Sequence, residues 1–413
     1  MKKLIAIVLV LSLTLCLPAF AMADITLVQN KPEIDAALQA YAKAYSEKTG
    51  VNVKIITGGG STDYNTVLKN EFNSGAHPDI FAIEGPTVYG LYKEYAAPMN
   101  GAAWTQYTSA AYMDGENVVG FPVAVEGYGM AYNAELLEKA GIDPKSLTNV
   151  DAYRAAFEKL DGMKEELGLD AVVSMVAGVS AGMTWVTGLH NFNIYLTVGL
   201  ERNDTTYIDM VLEGKVDAER FHAYCEYVDL IFKYSDKDML LTGTQDMQLA
   251  AFANQKTAFY HQGNWMDPSI VALNVPFHMA FAPHAFMHED TDGLLVNPPS
   301  WYVVNGKDGN AEEAIAFLNS LATTPEGHDY MVNQANMVPA FTNVEIKPTT
   351  PLSQSVMDWN IAGKTYDWQQ YKLPDGFGMN TLGPIYELLA SGSIDEAAFE
   401  QMMIDAIATI PTL

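Results

Sequence analysis

Residues 54–65 read KIITGGGSTDYN, three consecutive glycines between two patterns of different period. Upstream, Val51, Val53, Ile55 and Ile56 form a short, largely apolar, β-branched run, the pattern of a buried strand. Downstream, Tyr64, Val67, Leu68 and Phe72 share one helical face, Ser61 stands where a first-turn cap belongs, and Gly75 can end the helix. The stretch is therefore the strand-to-helix turn of an α/β unit. Its glycines either satisfy the turn alone or let a ligand approach backbone N–H groups at a helix N-terminus. The phosphate-binding patterns G-x-x-x-x-G-K-[ST] and G-x-G-x-x-G do not follow this strand.

The same alternation runs along the chain, as in open α/β domains. Pro32 starts a helix with Ile34, Leu38, Tyr41, Ala42 and Tyr45 on its apolar face, and Gly50 closes it. Asp79–Glu84 reads as a short buried strand ending in an acid, and Phe121–Val125 and Met130–Tyr132 are extended segments around Glu126. Helical periodicity returns at Glu135–Ala140, Val150–Leu167, Ala218–Tyr234, Ala311–Leu321 and Asp395–Ile407. No internal repeat, low-complexity tract or Gly/Ser linker interrupts the 413 residues. A chain of this length predicts two domains, and the lack of a linker predicts that it crosses between them several times.

Residues 1–23 have a different character. Lys2 and Lys3 precede the apolar run from Leu4 to Leu15, and Ala21-Met22-Ala23 is a cleavage pattern, so a signal peptide is expected to be removed after Ala23. Cys16 raises lipidation as the competing expectation, but Leu15 stands directly before it, where lipoprotein signals resemble one another in carrying a small residue. Losing Lys2 and Lys3 takes the formal net charge from −27 to −29. Such a chain is not expected to bind nucleic acid or an anionic membrane surface by charge. The only arginines are Arg154, Arg202 and Arg220, which argues against an arginine clamp on phosphate. Cys225 is the single cysteine beyond the signal and reads as a small buried hydrophobe.

Three constellations point to chemistry. Gly178-Val179-Ser180-Ala181-Gly182 is a G-x-S-x-G after an apolar run; a hydrolase built on Ser180 would need Asp229 or Asp246 with His278 or His284. His284 and His288 stand four apart with acids nearby, a spacing for two metal ligands on a helix, but Pro283 and the missing third ligand favour a solvated acidic loop. Glu84 and Glu126 each follow a strand-like run, where open α/β sheets bind ligands. They suit a glycosidase pair, or hydrogen bonding to sugar hydroxyls without reaction. Six tryptophans, with Trp265 and Trp301 beside turn residues, add apolar platforms on which sugar rings stack.

Five blocks in order carry a family resemblance: TGGGSTDYNTVLKNEFNSGAHPDIF (57–81), GFPVAVEGYGMAYNAELLEKAGIDP (120–144), FANQKTAFYHQGNW (252–265), AEEAIAFLNSLATTPEGHDYM (311–331) and IYELLASGSIDEAAFEQM (385–402). Together with the leader, they resemble the extracellular solute-binding proteins of ABC importers, in the sugar-binding family that includes maltose-binding protein. The resemblance implies a two-lobed periplasmic-binding-protein fold of type II, each lobe an open sheet flanked by helices, with the ligand closed between lobes. It implies a first lobe of 24–125 and 281–336 and a second of 126–280 and 337–413. Ser61, Asp63, Glu84, Glu126, Trp185, Trp265, Trp301 and Trp368 are the ligand-binding residues expected on this basis. It further implies an exported, monomeric, non-enzymatic subunit without cofactor, free in a periplasm or held at the outer face of the cytoplasmic membrane. The expected partners are a carbohydrate, a permease and an ATPase. A secreted hydrolase, or the same fold holding a polyamine or metal, is the alternative.

Overall fold

A computed structural model describes residues 24–59 and 62–413, so the expected signal segment and Ser61 lie outside the described residues. The strands, in chain order, are β1 (Asp24–Gln29), β2 (Asn52–Thr57), β3 (Ile80–Ile83), β4 (Tyr112–Asp114), β5 (Asn117–Pro122) and β6 (Glu126–Asn133). They continue with β7 (Val173–Ser174), β8 (Phe259–Gly263), β9 (Met279–Ala282), β10 (Leu294–Asn297), β11 (Trp301–Val304) and β12 (Thr365–Tyr366). They form two mixed sheets flanked by helices. The first runs β2-β1-β3-β11-β5-β4; the second runs β12-β10-β6-β8-β7, with β9 also paired to β6.

The expected local structure forms largely where the periodicity placed it. All four residues of β3 are buried, which fits an uninterrupted apolar run in the interior of a sheet. The helix Asp35–Thr49 follows a short 3₁₀ turn begun by Pro32 and stops at Gly50, whose φ is +79°. The helix Tyr64–Asn73 buries Tyr64, Leu68 and Phe72. Its cap is Asp63, whose carboxylate accepts the Asn65 N–H at 3.1 Å.

Sheet direction brings the loops together. β1, β2 and β3 are mutually parallel, so their carboxyl ends and the turns that follow share one edge. β5 and β11 add their junction there, since Trp301 pairs with both Ile83 and Pro122. In the second sheet Glu126 opens β6 opposite Asn297 at the end of β10, and Gly263 at the end of β8 pairs with Tyr128. Both sheets thus turn loop-bearing edges toward the segments that join them.

Each sheet has its own core. The first gathers Leu27, Phe81, Trp104, Phe121, Tyr302 and Phe317 among others; the second gathers Met130, Tyr153, Tyr227, Phe259 and Tyr386. The core memberships correct the expected boundaries. Phe281, Ala282, Phe286 and Leu294–Val296 pack in the second core, because β9 and β10 both pair with β6, so the chain returns to the first sheet only at β11. Met337 and Phe341 still belong to the first core, while Leu352 belongs to the second. The crossing segments are tied to one another: Val123 N–H donates to Ser300 O at 3.1 Å and Val125 N–H to Val338 O at 2.8 Å. No helix among the described residues is long and apolar enough to cross a membrane.

Candidate functional site

A cavity of about 410 Å³ lies between the two sheets' loop edges, and its two walls differ in chemistry. The first-lobe wall is polar: Asn30, Lys31 and Glu33 after β1, Gly59 and Thr62–Asn65 after β2, and Glu84 after β3. The second-lobe wall is aromatic, with Trp185, His190, Trp265, Trp368 and Tyr371. Glu126 stands at the crossing between them.

On the polar side the central group is Lys31, which is 5% exposed and ion-paired with both Glu126 and Glu33. Burial opposes its charge, but the two carboxylates outweigh burial and hold its pKa above the ordinary lysine value. Burial pushes the Glu126 carboxyl up, against the pull of Lys31. Glu84 is also raised, by burial first, although Asn30 Nδ2 donates to its Oε1 at 2.8 Å and Lys31 lies near. Asn30 is in turn fixed by Ser300, whose hydroxyl donates to Asn30 Oδ1 at 3.2 Å. The polar wall is thus pre-positioned by a hydrogen-bond chain that runs from the first strand turn to the β11 crossing.

The glycines after β2 have a narrower task than ligand approach. Gly58 N–H donates to Gln29 O and Gly59 N–H to Thr62 O, both at 2.9 Å, so neither donor is spare. Gly59 has φ +111°, and a Cβ there would lie 2.4 Å from Asn30 O. The turn needs glycine because the loops after β1 and β2 press backbone to backbone. For Gly58 and Gly59 this corrects the expectation that the glycines present backbone donors to a ligand: Gly59 lines the cavity, but its N–H is spent, and Gly60 lies outside the described residues.

On the aromatic side Trp265 is the hub. Its indole N–H donates to Gln262 Oε1 at 2.9 Å, and its ring lies 5.1 Å from His190, 6.2 Å from Trp368, 6.3 Å from Trp185 and 6.2 Å from Tyr128, centroid to centroid. Gly263 makes that fold-back possible, since a Cβ there would meet the Trp265 ring at 2.1 Å. His190 stacks on Tyr128 at 4.6 Å with planes 23° apart, and burial lowers its pKa to about 3, so it is a neutral polar group within the box.

The expected site residues divide accordingly. Asp63, Glu84, Glu126, Trp185, Trp265 and Trp368 all line the cavity. Trp301 does not: its indole N–H donates to Ala110 O at 2.7 Å and its ring packs against Tyr112 within the first lobe. Lys31, His190 and Tyr371 were not anticipated. Lys31 had a legible signal, since Asn30-Lys31 occupies the turn after β1 just as Gly58-Gly59 occupies the turn after β2; His190 and Tyr371 had none.

The competing chemistries are not assembled. Ser180 is exposed, while His278 pairs with Glu135 at 2.8 Å and His284 Nδ1 with the Tyr227 hydroxyl at 3.0 Å. His284 is buried in that chain, with His261 3.0 Å from its other nitrogen, whereas exposed His288 pairs with Asp151, so the two histidines do not share a ligand site.

Two lobes joined by three crossing segments, with a polar-and-aromatic cleft between them, make up the two-lobed fold of periplasmic binding proteins. The sequence matches the family model of bacterial extracellular solute-binding proteins over residues 40–363, and the chain belongs to that family. Similar solved structures include a sugar transporter protein from Bacillus licheniformis in complex with stachyose: 18% identity, TM-score 0.74, covering 94% of this chain and 100% of that one. The GacH receptor of Streptomyces glaucescens, solved unliganded and with acarbose, shares 15% identity at TM-score 0.71, covering 95% of this chain and 99% of its own. An ABC substrate-binding protein of Listeria monocytogenes in complex with cycloalternan shares 16% at TM-score 0.69, over 94% and 98%. At these identities the shared property is the fold. No curated protein sequence matches this chain significantly.

Proposed function

We propose that this chain is the extracytoplasmic binding subunit of an ABC importer, enclosing a carbohydrate, an oligosaccharide, between its lobes and handing it to a membrane permease with its ATPase. The observation that carries this reading is the opposition of walls across one cavity. A sugar ring has apolar C–H faces and a rim of hydroxyls; the first suit tryptophan, the second suit carboxylates and amides. Asp63, Glu84 and Glu126 are assigned to the hydroxyls, and Trp185, Trp265 and Trp368 to ring faces. The sugars bound by the fold's solved relatives agree with this class without naming the ligand. In this reading the signal is cleaved after Ala23, and the protein works beyond the cytoplasmic membrane.

Closure follows from the same geometry. A ligand touching both walls makes its full contacts only when the lobes are together, so it shifts a pre-existing hinge equilibrium toward the closed form. The interlocked crossings at Val123–Val125, Ser300 and Val338 are where that hinge would bend.

The test is thermal unfolding of the mature protein with mono- and oligosaccharides, polyamines and divalent metals, since a ligand bound to the native state alone raises the midpoint by mass action. A shift with one saccharide series, and no product on long incubation, is the expected outcome. A shift with a polyamine alone, or turnover lost in Glu126→Gln, would overturn it.

A further inference from the structure

Outside the cleft, two helices bring a second set of polar groups together. The helices Ala218–Lys233 and Glu396–Ile407 pack against one another and both feed the second core, through Phe221, Tyr224, Phe399 and Met403. Each also carries two ligand-type residues one turn apart, His222 with Glu226 and Glu396 with Glu400. Residues four apart lie on one helix face, so two such pairs on packed helices converge on one spot. The ligating atoms of His222, Glu226 and Glu396 all lie within 4.8 Å of one another. A tetrahedral zinc ion with bonds of about 2.0–2.2 Å needs its ligand atoms about 3.3 Å apart. Small rotamer changes of these partly exposed side chains cover that difference.

Acids on a protein surface crowd often and mean little by themselves. The imidazole makes this group different. Its Nδ1 lies 2.8 Å from Glu400 Oε2, and a carboxylate only accepts, so Nδ1 carries the proton in the neutral ring. The Nε2 lone pair is then left for an electrophile, 4.0 Å from Glu226 Oε1. A carboxylate that fixes the far nitrogen is what orients metal-bound histidines generally.

We propose that His222, Glu226 and Glu396 form a binding site for a divalent transition-metal ion of the zinc type, with Glu400 as the residue that positions the imidazole. One nitrogen with carboxylate oxygens favours zinc, nickel or copper over calcium and magnesium, which prefer oxygen alone. None of these residues lines the cleft, so the site is independent of the proposed sugar site. Its effect is to staple the last long helix to the middle of the second lobe.

The experiment is equilibrium dialysis of chelator-stripped mature protein against zinc chloride, with calcium chloride in parallel. The expected result is saturable uptake of one zinc per chain and no comparable calcium uptake. His222→Ala should weaken uptake by tenfold or more, and Glu400→Ala by about tenfold through lost orientation. Both variants should melt at the wild-type temperature without zinc, which separates site loss from misfolding. His288→Ala, which breaks a lone surface pair with Asp151, should bind as wild type does. Absence of saturable uptake, or equal uptake by wild type and His222→Ala, would overturn the site.

Discussion

The two walls of the cleft solve opposite problems with opposite chemistry. The first-lobe wall holds charged groups that prefer water, and it keeps them in place by pairing: Lys31 with Glu126 and Glu33, Asn30 with Glu84 and Ser300. The second-lobe wall holds rings that avoid water, kept in place by packing against Tyr128 and one another. The polar wall should therefore set the orientation of a ligand and much of its own stability, while the aromatic wall supplies most of the affinity. Breaking one partner should expose the difference.

The largest effect is expected at Lys31. Lys31→Met leaves buried Glu126 and partly buried Glu33 beside each other without their cation, which costs about 3–5 kcal/mol when one partner of a buried pair is removed. Denaturant unfolding should show that loss, and adding Glu126→Gln should restore part of it. A double variant no better than the single one would mean that the pair is not coupled.

Next comes Trp265. Trp265→Ala removes the ring around which the aromatic wall is arranged, and a central buried anchor of this kind is worth about 2 kcal/mol or more, or roughly thirtyfold in affinity. Calorimetric titration with the saccharide found in the thermal panel should read it. Trp301→Ala, by contrast, should leave affinity within about twofold, because that ring is engaged inside the first lobe. Equal losses at the two positions would contradict the division of walls.

The walls should also respond to acid with opposite sign. Burial depresses His190 to about 3 and His261 to about 4. A depressed histidine stabilises the fold above its unfolded pKa near 6.5, and that contribution is lost as pH falls. Each should remove about 2 kcal/mol by pH 5. His190→Gln should reduce the slope of the stability profile between pH 6.5 and 5, leaving the share that His261 contributes from behind the aromatic wall. Glu84 is raised, so its contribution is full below the unfolded carboxyl pKa of about 4.5 and is lost as pH rises through the folded value. Glu84→Gln, the smallest effect here, should therefore melt slightly higher than wild type at pH 7 and equally at pH 4, while binding saccharide more weakly.

Much of the fold was legible because its elements are local. Gly50, Gly75 and the buried run of β3 are punctuation and periodicity, which need no tertiary information. The lobe boundary near residue 281 was not legible, since the allegiance of β9 depends on which strand Met279–Ala282 meets, and that is a long-range pairing with β6. The site divides the same way. Glu84, Glu126 and Trp265 follow strand-like runs and could be placed at a sheet edge. His190 lies within a helical stretch and reaches the cleft only through packing, and Trp301 satisfied the same turn rule as Trp265 yet spends its indole on Ala110. A turn next to a ring says that the ring is near an edge, not which lobe's interior claims it.

The interleaving of the chain has a consequence for how the protein comes into being. The first core needs Tyr302–Phe341 as well as the opening hundred residues, and the second needs Leu352–Ile410 as well as the middle. Neither half can close until most of the polypeptide has emerged. Contacts of such sequence separation are slow to form, because loop-closure entropy opposes them before packing rewards them. A polypeptide delivered N-terminus first stays short of its native cores until nearly its whole length is available, and this built-in delay keeps it pliable during passage out of the cell.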